Sequence, residues 1–313
     1  MNIAITAIGS MSAEAVIKSL RKRNSNKIIG FDIYPQEWIV TSKLVDFFYQ
    51  VPLASDEKYM ETILQICLLH EINFLIALTD PEIDFLSLQI QDFKNNGIIL
   101  CFPDLPSLEI ARDKFIFFNF FKDNNEVLVI PTFDTIDKVD INESKNIIAK
   151  PRKGRSSEGI IKSINLQYLQ NSICKTEDYI FQPIIQGNYI TVDTIRDDFN
   201  NKVSIPRREL LRTMNGAGVV VEIFKDENLE NIVSIITDSL SIRGCINIEF
   251  ILYDNQYFLM DINPRFSAGI AFSIIAGYDF VENHLRCFQG IAIDGFIQYK
   301  QQIMSKRYAD IVY

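Results

Sequence analysis

The sequence is poor in the residues that build zinc sites and disulfide frameworks. It has two histidines and five cysteines in 313 residues, namely His70, His284, Cys67, Cys101, Cys174, Cys245 and Cys287. The cysteines stand far apart and form no CxxC pair, which excludes ordinary zinc-ligand spacing. An odd, scattered set fits reduced thiols in a cytoplasm better than a disulfide framework.

The chain also lacks excess positive charge and long apolar runs. Its net charge of −9 and pI near 4.9 argue against a general binder of nucleic acids or anionic membranes, because phosphate backbones need a basic surface. No apolar run approaches the ~18–20 residues of a membrane span. A signal peptide has a basic segment before its apolar run, and no such segment precedes the first apolar run here. We therefore expect a soluble, cytoplasmic protein with no nucleic-acid or membrane partner.

Two glycine-rich nucleotide motifs are missing. Gly9 is the only glycine in the first strand-to-helix turn, so the GxGxxG fingerprint of dinucleotide-binding enzymes is absent. The basic segment from Lys150 to Gly159 contains neither GKS nor GKT, so it is not a P-loop. These absences argue against a dehydrogenase and a P-loop enzyme.

The first third of the chain alternates between strand and helix patterns. Apolar runs typical of strands are separated by segments with apolar residues at helical spacing, and parallel strands joined by helices form a doubly wound α/β layer. Pro103 and Pro106 mark its end. The predicted strands are Asn2–Ile8, Ile28–Ile33, Phe74–Leu78 and Ile98–Phe102, and the predicted helices are Ser12–Lys22, Glu57–His70 and one after Pro81.

Two acids lie where such a sheet binds ligands. Asp80 and Glu82 follow the strand ending at Leu78, and open α/β sheets bind ligands at the carboxyl ends of their strands. Two interpretations stay open. The acids contact a substrate, or they cap the helix that follows.

The middle of the chain contains a basic loop between two predicted strands. A helix from Ser107 carries Lys114 and an aromatic run, and a strand from Asn146 then ends in Lys150. The loop from Gly154 to Gly159 follows, bounded by glycines and leading into a second apolar run. Its cations and backbone amides suit a lid over phosphates, and a basic hairpin turn without function is the alternative.

An arginine group follows two further β-rich runs, Tyr179 to Ile185 and Tyr189 to Ile195. Guanidinium groups suit bidentate contacts with carboxylate or phosphate, although a solvated surface strand explains any one of them equally well. Strand alternation alone does not determine which of two adjacent arginines points inward. The group comprises Arg207, Arg208 and Arg212.

The most informative stretch runs from Ile246 to Arg265. Two apolar runs flank Asp254-Asn255-Gln256, a pattern typical of an antiparallel hairpin. A three-residue loop there pairs Ile251 with Leu259 and places Glu249 opposite Asp261 and Asn247 opposite Asn263. A two-residue loop would break that pairing.

Opposed carboxylates repel one another unless a cation lies between them. Magnesium prefers oxygen ligands from carboxylates and an amide, together with substrate phosphates. Glu249, Asp261 and Asn263 offer that set, and Arg265 follows a rigid Asn-Pro corner where it could meet a phosphate or carboxylate oxygen. The alternative is a solvated polar sheet face.

This order of features resembles the ATP-grasp superfamily. The resemblance is strongest to one synthetase unit of the carbamoyl-phosphate synthase large subunit and to short carboxylate-amine ligases related to it. It implies an α/β fold, α+β in the C-terminal part: an N-terminal doubly wound pre-ATP-grasp domain, then two antiparallel sheets that sandwich ATP. The implied divisions are residues 1–104, 105–182 (with the lid) and 183–313 (the catalytic part).

The resemblance also implies roles for individual residues, with ATP and Mg²⁺ (or Mn²⁺) as cofactors. Tyr189 stands where a ribose-binding glutamate is common, Asp261 replaces the more frequent glutamate, and Gln182 stands where an acid is common. The implied ATP-binding residues are Lys114, Lys150, Gly154, Ser156, Ser157, Gly159, Gln182, Ile184 and Tyr189; the implied metal ligands are Glu249, Asp261 and Asn263; and the implied catalytic arginine is Arg265. Arg208 and Arg212 are further candidate catalytic or substrate-anchoring arginines because of their chemistry, with Arg207 as another candidate anchor.

The implied activity is an ATP-dependent ligation of a small carboxylate to an amine through an acyl phosphate, with release of ADP and phosphate. Alternatives are a non-catalytic nucleotide-binding module with a regulatory or assembly role, and a kinase of a small carboxylate or carbamate. A homodimer is a reasonable expectation for such an enzyme. No motif specifies the acid, the amine or the pathway.

Overall fold

The computed structural model of the protein describes residues 1–23, 25–139, 146–154, 158–163, 168–169, 173, 176–295, 298–307 and 309–312. Its strands form three sheets, as the predicted fold class requires. No helix in these ranges is both long and apolar enough to cross a membrane. The α-helices are α1 (Ala13–Arg21), α2 (Tyr59–Leu69), α3 (Asp80–Leu86), α4 (Ile90–Asn95), α5 (Leu105–Arg112), α6 (Lys114–Phe121), α7 (Glu227–Ser239), α8 (Ile270–Ala276) and α9 (Phe280–Phe288).

The N-terminal sheet is parallel and doubly wound, in the order β3-β2-β1-β4-β5. The chain first builds outward from β1 to β3 and then crosses to β4 on the other side of β1. The point where the order reverses, between β1 and β4, is where such sheets bind ligands. The strands are β1 (Asn2–Ile5), β2 (Lys27–Asp32), β3 (Phe47–Gln50), β4 (Phe74–Ile76) and β5 (Ile99–Leu100); β3 was not predicted.

The rest of the chain forms a three-stranded and a seven-stranded sheet. The small sheet is antiparallel, in the order β8-β7-β9. The large one, in the order β15-β12-β11-β10-β13-β14-β6, is antiparallel except for the short edge strand β6. Their strands are β6 (Leu128–Val129), β7 (Ile147–Pro151), β8 (Ile161–Ser163), β9 (Tyr179–Pro183), β10 (Asn188–Arg196), β11 (Lys202–Arg212), β12 (Gly218–Ile223), β13 (Gly244–Tyr253), β14 (Gln256–Asn263) and β15 (Gln302–Ser305).

The predicted fold class is therefore confirmed, whereas the division of the chain at residues 104 and 182 stays a prediction. Strand β6, which precedes the second division, pairs with β14, which follows it. One apolar cluster also joins Ile5 and Ile17 of the N-terminal layer to Phe266 and Phe280 near the C-terminal helices. This shared core sets the N-terminal sheet against the end of the β13–β14 hairpin.

The single helix predicted from Ser107 through the aromatic run is wrong, because the chain breaks at Asp113. The side chain of Asp113 accepts hydrogen bonds from the backbone N–H groups of Phe115 (2.9 Å) and Ile116 (3.2 Å), which makes it the N-cap of α6. The same carboxylate pairs with Arg152 at 2.8 Å, just after β7. Lys114 consequently occupies the first turn of α6.

The predicted hairpin is confirmed, but its loop has two residues, not three. Asp254 and Asn255 both have positive φ (49° and 57°), as a type I′ turn requires, and Ile251 lies opposite Phe258. A register shift at Met260 then adds one residue to β14. This bulge restores the predicted pairs, so that Glu249 lies opposite Asp261 and Asn247 opposite Asn263.

Candidate nucleotide and metal site

A polar row crosses four strands of the large sheet. Arg207 pairs with Thr191, Thr191 with Glu249, and Glu249 with Asp261. Directly paired residues share one face of a sheet, so these four side chains point the same way. Asp193, Asn247 and Asn263 form a parallel row two residues along their strands, on the same face.

This face forms the floor of a cavity of about 460 Å³. The three-stranded sheet supplies the opposite wall, through Ile148, Lys150 and Lys162. The carboxyl ends of β1 and β4 close one side through the segments 10–12 and 78–80. The cavity therefore lies between the two antiparallel sheets and reaches the reversal point of the N-terminal sheet.

Two lysines bring positive charge into the cavity. Lys114 is buried, and its Nζ lies 3.1 Å from Asp261 Oδ2. Lys150 is also buried, and burial is the main reason why its pKa falls to about 8. The charge of Lys114 lowers this pKa further, while Asp261 and Glu249 oppose the change. An anionic ligand next to a buried lysine stabilises its charged form and raises its pKa again.

Glu249 is affected both by burial and by repulsion from the opposed carboxylate of Asp261. Burial raises the pKa of Glu249; Arg212 counteracts this, and the charges of Asp261 and Glu209 add to it. Arg212 Nη2 lies 3.2 Å from Glu249 Oε2, and its guanidinium stacks over the ring of Tyr189 at 4.3 Å.

The donor set fits a magnesium ion with nucleotide phosphates. Across the described residues there is no group of three or more His, Cys, Asp or Glu side chains that could hold a metal alone. Glu249 and Asp261 instead offer two carboxylates, and Asn263 adds an amide oxygen in the next polar row. Such a partial oxygen set, completed by phosphates and water, is what magnesium uses at nucleotide sites.

Arg265 is held by an acid of the N-terminal domain, a contact that the sequence did not reveal. Its Nη2 donates to Asp80 Oδ2 at 3.0 Å and more weakly to Asn263 Oδ1 at 3.4 Å. Asp80 is buried, and although burial alone would raise its pKa, the charges of Arg265 and Arg112 lower it. Arg112 in turn makes two hydrogen bonds to Asp84.

Neither predicted interpretation of the acids after β4 is complete. Asp80 lines the cavity but forms no side-chain cap of α3, which begins after Thr79. Glu82 is buried and accepts hydrogen bonds from Thr6 (2.8 Å) and Thr79 (2.5 Å). Asp80 therefore acts on the cavity by holding Arg265. Glu82 connects Thr6, just after β1, with Thr79, just before α3, through hydrogen bonds.

The register of the large sheet separates the two adjacent arginines. Arg207 belongs to the cavity face and is buried, with hydrogen bonds to Asp193 and to Ser267 (3.0 Å). Arg208 projects from the opposite face and donates to Glu222 at 2.5 Å. The prediction that Arg208 faces the substrate is not supported by this position.

The predicted adenine and lid residues are only partly brought together. Gln182 is buried and donates to Thr132 Oγ1 at 2.8 Å, while its Oε1 has no hydrogen-bond partner among the described residues. Ile184 and Tyr189 line a second concavity next to the main one. Gly154 lines the main cavity, and Gly159, with φ 70°, packs against Pro151; Ser156 and Ser157 lie outside the described residues.

Comparison with known families agrees with this arrangement. Residues 111–269 match the model described as an ATP-grasp domain, and residues 3–101 match the one described as PylC-like, N-terminal domain. The second match covers the parallel sheet, and the first covers most of the cavity-forming strands. The ATP-grasp resemblance inferred from the sequence is thereby confirmed.

Solved structures show the same fold at low identity. A biotin carboxylase from Campylobacter jejuni, in a beta-gamma-ATP complex, matches with TM-score 0.79 and 16% identity over 94% of this chain and 72% of that one. N5-carboxyaminoimidazole synthetase from Staphylococcus aureus, complexed with ADP, matches with TM-score 0.77 and 17% identity over 97% and 81%. The biotin carboxylase domain of a Hydrogenobacter thermophilus 2-oxoglutarate carboxylase, with MgADP and bicarbonate, matches with TM-score 0.75 and 17% identity over 93% of this chain and 70% of that one.

Proposed function

We propose that this chain, which belongs to the ATP-grasp family, is an ATP-dependent ligase that joins a small carboxylic acid to an amine through an acyl phosphate. The observation that carries the proposal is the meeting of Glu249 and Asp261 with two buried lysines and Arg265 in one cavity. Phosphoryl transfer needs charge neutralisation and in-line positioning, and this arrangement provides groups for both.

Each group has a role in binding ATP. Lys114 and Lys150 would contact the phosphates, and Gly154, which lines the same cavity, would lie beside them. The hinge at Gln182 and Ile184 would read the adenine edge, and Tyr189 would lie beside the ribose. Magnesium, held by Glu249, Asp261 and Asn263, would neutralise charge on the phosphates when it is bound.

The reaction then has two steps. A carboxylate oxygen of the acid attacks the γ-phosphorus, and the bond to the bridging oxygen breaks so that ADP leaves. The amine next attacks the acyl carbon, phosphate departs with its oxygen, and the amine loses a proton. Replacing a hydroxide leaving group by phosphate divides one difficult step into two easier ones.

Arg265 is the arginine best placed to hold the transferred group. It follows the metal-binding strand, lines the cavity and is fixed on one side by Asp80, which leaves other N–H donors for an anion. Arg212 is engaged by Glu249 and Tyr189 and would act at the nucleotide end. Arg207 is buried beneath Gly269 and shapes the floor.

The acid site would lie between Arg265 and the loops after β1 and β4, which close the same cavity. The acid would then lie at the reversal point of the parallel sheet, where ligands of such sheets bind. We further propose a homodimer in the cytoplasm, with small molecules as the only substrates.

The test is magnesium-dependent ADP release with pooled amino acids and other small carboxylates. Hydroxylamine replaces the unknown amine and traps an acyl phosphate as a hydroxamate. Glu249→Ala should abolish turnover, whereas Glu222→Ala, on the opposite face of the same sheet, should retain it. Hydroxamate formation by Glu249→Ala at the wild-type rate would refute the metal assignment. ATP binding without ADP or hydroxamate would favour the non-catalytic module, and a phosphorylated product that no amine consumes would favour the kinase.

A further inference from the structure

Two asparagines face each other next to the acid pair, and their amide oxygens differ in how firmly they are hydrogen-bonded. Asn247 and Asn263 are paired across β13 and β14, and both are buried. Either amide oxygen could serve a metal by residue type alone. The hydrogen bonds around them distinguish the two.

The orientation of Asn247 is fixed from the side of Asp193. Asp193 is fully buried, and its Oδ2 accepts hydrogen bonds from Arg207 and from Ser273 (2.6 Å). Its Oδ1 accepts from Asn247 Nδ2 at 3.3 Å, and the same Nδ2 lies 3.3 Å from the carbonyl oxygen of Val192. Both neighbours are acceptors, so this side of the Asn247 amide must be its NH₂ group.

The fixed amide of Asn247 in turn orients the amide of Asn263. Asn247 Oδ1 accepts from Asn263 Nδ2 at 3.2 Å, and Glu249 Oε1 accepts from the same Nδ2 at 3.2 Å. The remaining atom of that amide, Oδ1, faces the Nη2 donor of Arg265 at 3.4 Å. Each amide oxygen thus accepts one hydrogen bond and has a second lone pair. The bond to Asn247 Oδ1 is the shorter of the two, whereas among the described residues Asn263 Oδ1 has only the 3.4 Å contact with Arg265, whose Nη2 also donates to Asp80 at 3.0 Å. Asn263 Oδ1 is therefore the less firmly bonded oxygen and the one more readily taken by another partner.

We propose that Asn247 is a positioning residue that fixes the amide of Asn263, and that Asn263 alone supplies the amide ligand of the metal–nucleotide complex. This inference rests on the proposed function. It goes further by assigning a role to a buried residue that contacts neither metal nor substrate. Groups that orient a metal ligand typically contribute about 10–100-fold to metal affinity.

The experiment measures Mn²⁺ binding in the presence of ADP by electron paramagnetic resonance, which needs no turnover. Asn247→Leu should weaken Mn²⁺ binding by about tenfold, and Asn263→Leu should weaken it at least as much. In the double variant, the effect of Asn247→Leu should vanish, because no amide remains to be positioned. The control is Asn283→Leu. Asn283 is a buried asparagine of α9 bonded to Asp279 and Asp294, so its loss should lower stability but leave Mn²⁺ affinity unchanged.

Two results would overturn the inference while wild-type protein binds Mn²⁺ and ADP. One is unchanged affinity in Asn247→Leu. The other is an additive loss in the double variant, which would make Asn247 an independent contact of the metal. If Asn247→Leu does not fold, Asn247→Ser replaces it in the same comparison of single and double variants. Metal binding without hydroxamate formation would refute the ligase and leave this inference standing, and absence of Mn²⁺–ADP binding by the wild type would overturn both.

Discussion

Lys150 links nucleotide binding to pH. Its pKa falls from 10.5 to about 8, mainly because the side chain is buried. This difference means that keeping Lys150 charged in the free protein costs about 3 kcal/mol. Bound phosphates would stabilise the charged form, so nucleotide binding at about pH 8 should take up about half a proton.

The expected affinity follows from the fraction of Lys150 that is already protonated. Between about pH 7 and pH 9 that fraction falls about tenfold, and the affinity for ATP with Mg²⁺ should fall by the same factor. Lys150→Arg should remove this dependence, because a guanidinium stays charged throughout the range. Lys150→Met should bind ATP weakly at every pH.

The assay is calorimetric titration with ATP in two buffers of different ionisation enthalpy, which reports proton uptake directly. Wild-type binding that is independent of pH, or a pH dependence that persists in Lys150→Met, would refute the reasoning. Stability provides a second readout. Because the folded pKa lies below the unfolded one, Lys150 destabilises the nucleotide-free protein below about pH 8, and this penalty disappears as the pH rises to about 10.5. In urea unfolding at neutral pH, Lys150→Met should therefore be more stable by up to about 3 kcal/mol.

Three further substitutions and one matched control test the placement of side chains around the cavity. Asp80→Asn should slow ADP release by at least about tenfold, because Arg265 loses its carboxylate partner. The control is Asp84→Asn, one ion pair further away, which should change the rate of ADP release by no more than about twofold. Equal effects of the two substitutions would contradict the role of Asp80. Arg208→Leu should keep turnover within about twofold, since its pair with Glu222 is partly exposed, and a large loss would place it at the substrate. Gly269→Ala should destabilise the protein by about 1–3 kcal/mol in urea unfolding, because the new Cβ would lie 2.9 Å from a nitrogen of the buried Arg207. If the variant is as stable as the wild type, the guanidinium of Arg207 can move aside.

Local pattern was enough to predict the doubly wound N-terminal layer and the acid pair, and the family resemblance implied the two sheets that follow. The hairpin shows both the reach and the limit of such reasoning. Strand alternation correctly placed Glu249 opposite Asp261, but through a three-residue loop that does not exist. The two-residue turn alone would have shifted the register, and the bulge at Met260 shifts it back. Strand alternation alone did not predict this bulge, which depends on how β13 and β14 pair.

Long-range contacts account for the rest. Arg207 and Arg208 are adjacent and chemically alike, and only the pairing of β11 with β10 determines which one faces the cavity. The ion pair between Asp80 and Arg265 joins residues 185 positions apart. It exists because a shared apolar core sets the N-terminal sheet against the hairpin, which no local window of the sequence contains.

The most direct test of carboxylate activation uses the acid identified by hydroxamate trapping, labelled with oxygen-18 in its carboxylate. The acyl-phosphate route transfers one carboxylate oxygen to the γ-phosphoryl group. The phosphate released on ligation should therefore carry one labelled oxygen for each ADP formed. Unlabelled phosphate released together with ADP and the amide would show that the carboxylate does not attack ATP, and would contradict the proposed function.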